Sequence, residues 1–512
     1  MLRGARNIAR LVGIVATLAR HDALDPLDAA GFAPAAALLR RLFARTGVAG
    51  RPGERLCAAL HALGPAFIKL GQALSTRPDL IGDEMARDLS NLQDRLPPFS
   101  GAQARATIEA ELGGAVDDLF ERFDDAPVAA ASIAQVHHAT TRDGRAVAVK
   151  VLRPGIEQAF ARDLDLLDWL AAAAERLRPE LRRLRPVEVV RTFADAVGFE
   201  MDMRFEAAAA SELRENLADD AGYHVPEVDW RLTARRVLTL ERVAGIPIDE
   251  RDALIDAGHD LDAIVEKAAR AFFNQVFRDG FFHADLHPGN LFVDQAGDIV
   301  AVDFGIMGRL DRETRRYLAE ILLGFLTGDY ARVAELHFEA GYVPRAKSRA
   351  AFTQACRSIG EPILGRPLEE ISLARLLAQL FQVTERFAME TQPQLLLLQK
   401  TMLFAEAISR RLNPALNMWA FARPLIEDWA AENLSPEARL RDSVDDGLAL
   451  AQRLPKLIAD AEAALAVVAE GGLKLHPETV RALADAREGR RAGAPYLWAA
   501  LAALALAVAV LA

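Results

Sequence analysis

The sequence predicts an α+β protein with two lobes, a small β-rich lobe followed by a larger helical lobe. Two observations predict this fold. Midway along the chain, short runs of alternating apolar and polar residues are bounded by turn residues, which is typical of strands. The flanking stretches have helical periodicity interrupted by Pro and Gly. With 512 residues, 51% of them hydrophobic, the chain is long enough for more than one domain and a large core.

These patterns divide the chain into five segments. We expect a helical extension, a β-rich lobe, a helical lobe, a helical tail and a terminal apolar helix, with bounds at 1–125, 126–243, 244–430, 431–494 and 495–512.

Two hairpins are predicted from turn signals. In VHHATTRDGRAVAVKVL (136–152), an Asp-Gly pair separates two strand-like runs, and the alternation places Lys150 on the face opposite three valines. LFVD and DIVAVD flank Gln-Ala-Gly at 295–297 in the same way, and RRVLTLERV (235–243) reads as a further strand.

Charge and cysteine content argue against a nucleic-acid-binding protein and against a disulfide-stabilised protein. The net charge of −11 argues against a nucleic-acid partner. Two cysteines, Cys57 and Cys356, provide no disulfide framework and no metal-ligand spacing. We therefore expect a reducing, cytosolic environment for the main body.

Both termini have membrane-related patterns. PYLWAALAALALAVAVLA (495–512) has no charged side chain, and as a helix it would extend about 27 Å, close to the ~30 Å hydrocarbon core. Arginines just before it keep the body on the cytoplasmic side by the positive-inside rule. This predicts a single transmembrane helix, the alternative being a buried C-terminal helix. The N-terminal segment, with arginines at helical spacing, is read as an interfacial amphipathic helix or an ordinary surface helix.

The motif HADLHPGN…DFG predicts a phosphoryl-transfer site. Asp285 and Asn290 have the spacing of a kinase catalytic loop, and Asp303 leads a DFG thirteen residues later. We expect Asp285 to act on the attacking hydroxyl, and Asn290 and Asp303 to hold Mg²⁺ through oxygen ligands. Lys150 would contact the α- and β-phosphates of ATP or ADP, and it is assigned with Asp285 and Asn290 to catalysis.

Two histidines in this motif, His283 and His287, could be read as metal ligands. His283 is better read as packing and orienting the loop, and His287 has no further nitrogen or sulfur ligand nearby in sequence.

A kinase-type glycine loop is replaced here by VAAASIAQV. Because an Ala in the left-handed region costs roughly 1–2 kcal/mol, this loop is expected to follow a more restricted path, with a helical turn as one option. We assign it to nucleotide binding, with polar contacts from Ser132 and Gln135. The full assigned segment is Val128, Ala129, Ala130, Ala131, Ser132, Ile133, Ala134, Gln135 and Val136.

The segment after the DFG is short. IMGRLDRETRRYLAEILLGF leads almost directly into a helix, and we expect Asp311 to be its N-cap. Little room remains for a peptide-docking platform, which argues against phosphorylation of protein side chains by the usual route.

Together with these motifs, two others carry a family resemblance. PAFIKLGQALSTRPDL (65–80) contains a KxGQ motif with Lys69, Gly71 and Gln72, and Glu200-Met201-Asp202 forms an ExD motif followed by Glu206. Over about 60–440 the chain resembles the UbiB family of atypical, membrane-associated, kinase-like proteins required for ubiquinone (coenzyme Q) biosynthesis. It departs from the family in having Ala209 where an Asn is usual, which puts in doubt any role for that position.

The resemblance assigns a regulatory role to residues that otherwise look ordinary. By periodicity alone, Lys69 and Gln72 lie on the solvated face of an amphipathic helix. Gly71 inside that helix costs up to ~1 kcal/mol of helix stability relative to Ala. A glycine kept at this cost suggests that another group approaches the helix closely at this position. In the family this motif lies over the active site, which implies a site closed to proteins and open to a lipid precursor.

The carboxylate partner of Lys150 is less settled. Glu200 and Glu206 would point about 240° apart on an unbroken helix, so only one can face Lys150. Glu200 is favoured for that pairing, with Glu206 given a metal or loop-orienting role, and both are assigned to the nucleotide site.

The resemblance implies an atypical two-lobed protein-kinase-like fold and an ATP-binding, Mg²⁺-dependent kinase or ATPase that supports ubiquinone biosynthesis. Membrane lipid, polyprenyl-phenol quinone precursors and ubiquinone biosynthetic enzymes are the expected partners, and the inner membrane is the expected location. Two alternatives remain open: a nucleotide-gated scaffold without turnover, and a small-molecule kinase of the aminoglycoside or choline type.

Overall fold

The computed structural model describes most of the chain between residues 2 and 432. The described ranges are 2–24, 50–75, 81–90, 92, 96–177, 186–362, 383–384, 386–389, 392–413, 424–425, 429 and 431–432. The chain divides into two compact units. The first takes residues 1–172 and 185–432. The second takes 173–184 and 433–512, of which only the end of one helix, 173–177, is described.

Helices predominate at both ends of the described chain. Those before the second lobe are α1 (Leu2–Arg20), α2 (Pro52–Leu63), α3 (Pro65–Ser75), α4 (Asp83–Ser90), α5 (Gly101–Leu112), α6 (Val116–Leu119), α7 (Ile156–Leu177), α8 (Pro186–Glu200) and α9 (Met203–Asn216). Those of the second lobe are α10 (Arg251–Asp256), α11 (Leu261–Phe273), α12 (Arg312–Thr327), α13 (Tyr330–Glu339), α14 (Arg349–Gly360) and α15 (Pro393–Leu412).

In the described ranges the strands are short and form three sheets. They are β1 (Phe120–Phe123), β2 (Ala129–Ala130), β3 (Ala134–Thr141), β4 (Ala146–Leu152), β5 (Tyr223–His224), β6 (Val237–Glu241), β7 (Ile246–Pro247), β8 (Phe281–His283), β9 (Leu291–Val293), β10 (Ile299–Ala301) and β11 (Met307–Arg309). The largest sheet has the order β1-β3-β4-β6, with β2 paired to β3; β5-β10-β9-β7 form a second sheet, and β11 pairs with β8.

The predicted hairpin of the first lobe is confirmed. β3 and β4 pair antiparallel, and Gly144 in the turn has a φ of 84°, a conformation that glycine adopts without steric cost. Val147, Val149 and Val151 are fully buried on one face. They pack in a core cluster with Ile108 of α5, so α5 covers this face of the sheet. Lys150 is thereby left on the opposite face, toward the second lobe.

The second lobe places a short hairpin beside helices. β9 and β10 pair antiparallel across the predicted turn, where Gly297 has a φ of 79°. The predicted N-cap is also confirmed, because the Asp311 carboxylate accepts a hydrogen bond from the backbone N–H of Thr314 at the start of α12. Helices α12, α13 and α14 share a separate core cluster that includes Tyr330, Phe352 and Cys356.

The N-terminal helix is docked on α7. Arg6 forms an ion pair with Asp165 (2.9 Å), and Arg10 forms one with the buried Asp163 (2.8 Å). Ile14 of α1 is buried in the main core cluster. Of the two interpretations of this segment, a surface helix packed on the body fits these contacts.

A membrane span is not found in the described part of the chain, where no helix is both long enough and apolar enough to cross a bilayer. The apolar segment 495–512 lies outside the described residues.

Candidate nucleotide and phosphoryl-transfer site

Lys150 lies at the centre of the candidate site, between two carboxylates. Its Nζ donates to Glu206 Oε1 at 2.8 Å and Oε2 at 3.0 Å, and to Asp303 Oδ1 at 3.1 Å. Strand β4 supplies the lysine, α9 the glutamate and the loop after β10 the aspartate. The site therefore joins the β-rich lobe to the helical lobe through one ammonium group.

The charged groups of this cluster shift one another's pKa values. Burial disfavours the ammonium, but the carboxylates of Asp303 and Glu206 outweigh it and raise the pKa of Lys150. The Lys150 ammonium lowers the pKa of Asp303 to about 2. Burial raises the pKa of Glu206, and Lys150 opposes this shift. With both carboxylates ionised, two negative charges face one positive charge, and the net negative charge that remains would attract a divalent cation.

The preference for Glu200 as the partner of Lys150 is wrong. Glu206 makes that contact, and only 9% of its side chain is exposed. Glu200 instead pairs with Lys69 of the KxGQ motif at 2.7 Å. The reason is a helix break: α8 ends at Glu200, and α9 starts at Met203 after an extended Asp202 that caps it. The two glutamates therefore lie on different helices and reach different lysines.

Asp303 has a backbone conformation that is rare for this residue type. Its φ of 63° lies in the left-handed region, where Asp is tolerated better than bulky residues. Such conformations persist where the surroundings hold them, and they cluster at functional sites. About half of the Asp303 side chain is exposed, so its carboxylate is accessible to a cation.

The catalytic loop is held by a buried histidine. His283 is fully buried, and its Nδ1 accepts a hydrogen bond from the Asp285 N–H at 3.2 Å. Its Nε2 lies 3.3 Å from the carbonyl of Val302, the residue before the DFG aspartate. Burial lowers the pKa of His283, which favours the neutral ring. The expectation that His283 orients the loop is confirmed.

Asn290 completes the loop. The side-chain Nδ2 of Asn290 donates to the backbone carbonyl and to Oδ2 of Asp285, both at 3.1 Å. The backbone carbonyl of Asn290 accepts from the Val302 N–H at 2.8 Å. With its amide nitrogen directed at Asp285, the side-chain oxygen of Asn290 is the atom that could bind a metal.

The residues present fit Mg²⁺ better than a transition metal. Within the described part of the chain, no group of three or more His, Cys, Asp or Glu side chains is placed to hold a metal ion. Mg²⁺ commonly uses one or two carboxylates, substrate phosphates and water, which matches Asp303 with Asn290. His287 is exposed and packs edge-on against Phe404 of α15, with ring centroids 6.2 Å apart.

The alanine-rich loop forms a tight hairpin. Ala129 pairs with Val136 and Ala130 with Gln135, and the Ala131 N–H donates to the Ala134 carbonyl at 2.8 Å. A helical turn, one of the expected options, is therefore wrong. No residue of 128–136 has a positive φ, so the restricted path expected from the lack of glycine is confirmed.

The two polar residues of this loop face inward. Ser132 is fully buried. Gln135 is 1% exposed, and its amide exchanges hydrogen bonds with the backbone of Phe99 at 3.0 and 3.2 Å. The expectation that Gln135 contacts the nucleotide is therefore wrong: because its period-two position on β3 turns it into the interior, it ties the segment before α5 to the sheet.

Arg153 holds the loop, a role that sequence reasoning missed. Its guanidinium donates to the Ala131 carbonyl at 2.8 and 3.1 Å and to the Leu96 carbonyl at 3.2 Å. Its position directly after the Lys150 strand, in VLRPG, was the signal available. The loop is thus held by the Arg153 side chain as well as by its own backbone hydrogen bonds.

The KxGQ helix, α3, is tied to the ExD motif. Lys69 is only 12% exposed, so the solvated-face interpretation is wrong for it. It lies near enough to Asp303 to help lower the pKa of that carboxyl. A Cβ on Gly71 would come within 2.7 Å of side-chain atoms of Leu60 and Leu92, which confirms the close approach inferred from a glycine inside a helix. Gln72 is half-buried on the same helix.

A second lysine at the site was also missed. Lys400 of α15 donates to Asp285 Oδ1 at 3.0 Å. Its sequence signal is a single basic residue within the largely apolar stretch LLLLQKTMLF (395–404). Periodicity cannot show which distant loop such a residue meets.

Comparisons with known families match two parts of the chain. Residues 91–337 match the ABC1 atypical kinase-like domain, and residues 356–417 match the UbiB helical domain. The first range contains Lys150, Glu206, Asp285, Asn290 and Asp303, and the second contains Lys400.

Curated relatives and one solved structure extend these matches. A probable protein kinase UbiB from Marinobacter nauticus is 46% identical over 416 residues, which is 80% of this chain and 76% of the relative. Another from Pseudomonas entomophila is 45% identical over 409 residues, 79% of this chain and 75% of the relative. The erythromycin complex of Rv3197 from Mycobacterium tuberculosis has a TM-score of 0.51 at 25% identity and covers 72% of this chain and 92% of that protein. These matches support an atypical protein-kinase-like fold.

Proposed function

Because this chain belongs to the UbiB family of atypical kinases, which implies a role in ubiquinone biosynthesis, we propose that it binds Mg-ATP between its lobes and uses ATP on, or in response to, lipid-like phenols at a membrane. The acceptor of the phosphoryl group is then water or a small hydroxyl compound rather than a peptide.

The observation that carries this proposal is the set of contacts around Lys150. A phosphoryl-transfer site needs cationic groups for the phosphates, oxygen ligands for Mg²⁺ and a carboxylate beside the attacking oxygen. Lys150 would serve the phosphates while Glu206 holds it in place. Asp303 and Asn290 would hold Mg²⁺, which when bound neutralises phosphate charge. Asp285 would orient the attacking hydroxyl.

The short segment after the DFG favours a small acceptor. Only residues 306–311 separate the DFG glycine from α12, and part of them forms β11, which pairs with β8. A segment held in a strand pair and a capped helix leaves little backbone to bind a peptide substrate.

The KxGQ helix supports restricted access to the site. Lys69 and Glu200 form an ion pair of low exposure, and the ammonium of Lys69 also acts on Asp303. A ligand that favours the conformation without this pair would shift the population toward an open site. Membrane lipid and polyprenyl-phenol quinone precursors are the proposed ligands of that kind, and ubiquinone biosynthetic enzymes are further proposed partners.

The proposed location is the inner membrane, with the catalytic body on the cytoplasmic side. The uncharged segment 495–512 and the arginines before it support this placement.

ATP turnover tests the proposal. Phosphate release by the purified full-length protein would be measured with and without anionic liposomes and with a short-chain alkylphenol, alongside labelling of a generic protein substrate. We expect lipid- or phenol-stimulated turnover that Asp285→Asn abolishes and Asp252→Asn leaves intact, since Asp252 is 96% exposed. Tight Mg-ATP binding without turnover under any condition would instead identify a nucleotide-gated scaffold. Strong labelling of the protein substrate, with no lipid effect, would identify an ordinary protein kinase.

A further inference from the structure

The carboxylate of Asp285 is held from two sides. Its Oδ2 accepts from Asn290 Nδ2 at 3.1 Å, within the catalytic loop. Its Oδ1 accepts from Lys400 Nζ at 3.0 Å. Lys400 lies 115 residues further along the chain, on α15. One oxygen is thus fixed by the loop itself and the other by a helix from the family's helical domain.

From this contact we propose that Lys400 is a positioning residue for phosphoryl transfer, setting the orientation of Asp285 toward the attacking hydroxyl. The inference rests on the proposed function and adds to it a role for the helical domain in the chemistry.

The environment of Lys400 shows that the contact is built into the packing. Its Nζ lies 5.6 Å from the centroid of the Phe404 ring, one helical turn away on the same face of α15. Phe404 in turn packs against His287 of the catalytic loop. The ammonium is therefore placed between an aromatic ring and a carboxylate, both at the catalytic loop.

The rotation of α15 is fixed by neighbouring residues. Leu398 and Thr401, on either side of Lys400, are 6% and 0% exposed. At the end of the helix, the Leu412 carbonyl accepts from Arg251 at 3.0 Å, and Asn413 donates to Asp262 at 2.7 Å. Because the helix is anchored in this way, Lys400 is directed at Asp285 rather than at solvent.

The reaction requires this orientation. As the bond between the γ-phosphorus and the oxygen bridging to the β-phosphate breaks, a bond forms from the acceptor oxygen to the γ-phosphorus. The acceptor proton passes to Asp285, and ADP leaves with the bridging oxygen. A carboxylate that is free to rotate would meet the acceptor hydroxyl in the right geometry less often, and misplacement by about 1 Å can cost on the order of 10²-fold in rate.

Lys400 contacts Asp285 and not the Lys150 cluster, so its removal should lower kcat with little change in the KM for ATP. We expect Lys400→Met to lower kcat by about 10- to 100-fold. Lys400→Arg, which keeps a cation on the same helix face, should recover most of the activity. Arg411→Met is the matched control: Arg411 lies on the same helix and pairs with Asp249, whose side chain is 27% exposed, as is that of Asp285.

The experiment measures kcat and KM for ATP in the full-length protein and the three variants, under conditions where the wild type turns over. The thermal shift by Mg-ATP is recorded in parallel to show that each variant folds and binds nucleotide. Lower kcat in Lys400→Met alone, with recovery in Lys400→Arg, supports the inference.

Three results would overturn it. Unchanged kcat in Lys400→Met would mean that the Lys400–Asp285 contact does not contribute to catalysis. Raised kcat would mean that the contact restrains Asp285. A loss that Lys400→Arg does not recover, or that Arg411→Met shares, would mean that Lys400 acts only through the stability of the helix. In these cases the wild type still turns over, so the proposed function stands. If the wild type shows no turnover at all, both proposals fail.

Discussion

Replacing Gly71 by Ala tests whether the KxGQ helix is packed as closely as the structure indicates. By helix propensity alone, Ala should stabilise α3 by about 1 kcal/mol relative to Gly. In this structure, however, the added Cβ would lie 2.7 Å from Leu60 Cδ1 and 2.7 Å from Leu92 Cδ2. Carbon atoms ordinarily approach to about 3.5–4.0 Å, so the overlap is roughly 1 Å with each leucine.

The net effect follows from two opposing contributions. Overpacking a filled core costs about 1–3 kcal/mol, and the propensity gain offsets about 1 kcal/mol of it. We expect the free energy of unfolding of Gly71→Ala to fall by about 1 kcal/mol. Gly13→Ala in α1 is the control, because nothing lies within 4 Å of its added Cβ. That variant should be more stable by about 0.5–1 kcal/mol.

The assay is urea unfolding followed by tryptophan fluorescence, for both variants and the wild type. Gly71→Ala in a Leu92→Ala background should be less harmful than in the wild type, because the shorter side chain leaves room for the new methyl group. Gly71→Ala that stabilises the protein as much as Gly13→Ala would refute the close packing. Displacement of α3 would also separate Lys69 from Glu200, so we expect basal ATP turnover of Gly71→Ala to change.

Three further predictions follow from the contacts described. Glu206→Gln should weaken Mg-ATP binding, measured by thermal shift, whereas Glu200→Gln should preserve binding and change turnover. The reverse result would mean that Glu200, and not Glu206, is the functional partner of Lys150. Cys356 should resist alkylation at pH 8 until the protein unfolds, because burial raises the pKa of its thiol to about 12; rapid labelling of the native protein would contradict its burial. Burial also lowers the pKa of His337, so between its ordinary value of about 6.5 and the lowered value the unfolded chain binds more protons. Stability should therefore fall as pH falls below about 6.5, and less steeply in His337→Gln; equal slopes would exclude a contribution from this residue.

Local patterns predicted the parts of the fold that depend on neighbouring residues. The Asp-Gly turn between β3 and β4, the alternation that buries Val147 and places Lys150 on the other face, and the cap at Asp311 are all properties of short segments. Such features can be derived from one sequence because turn chemistry and side-chain periodicity act over a few residues.

The motif spacing also predicted which residues would meet at the site. Lys150 and Asp303, 153 residues apart, were expected in one cleft and lie 3.1 Å apart. The same motif placed Asp285 and Asn290 in one catalytic loop, and in the structure Asn290 Nδ2 donates to Asp285 Oδ2 at 3.1 Å. These residues could be assigned because their types and spacing are specific to phosphoryl transfer.

Tertiary packing decided the remaining contacts. Helical geometry showed that Glu200 and Glu206 could not both face Lys150, but the break after α8 determined which one does. Arg153 and Lys400 reach the alanine-rich loop and Asp285 from segments with no motif of their own. The sequence thus determined the chemistry of the site, since residue type and local spacing set the available charges and ligands. Only the three-dimensional structure determined the pairing of those charges, because an ion pair depends on the relative placement of distant helices, and no local pattern records that placement.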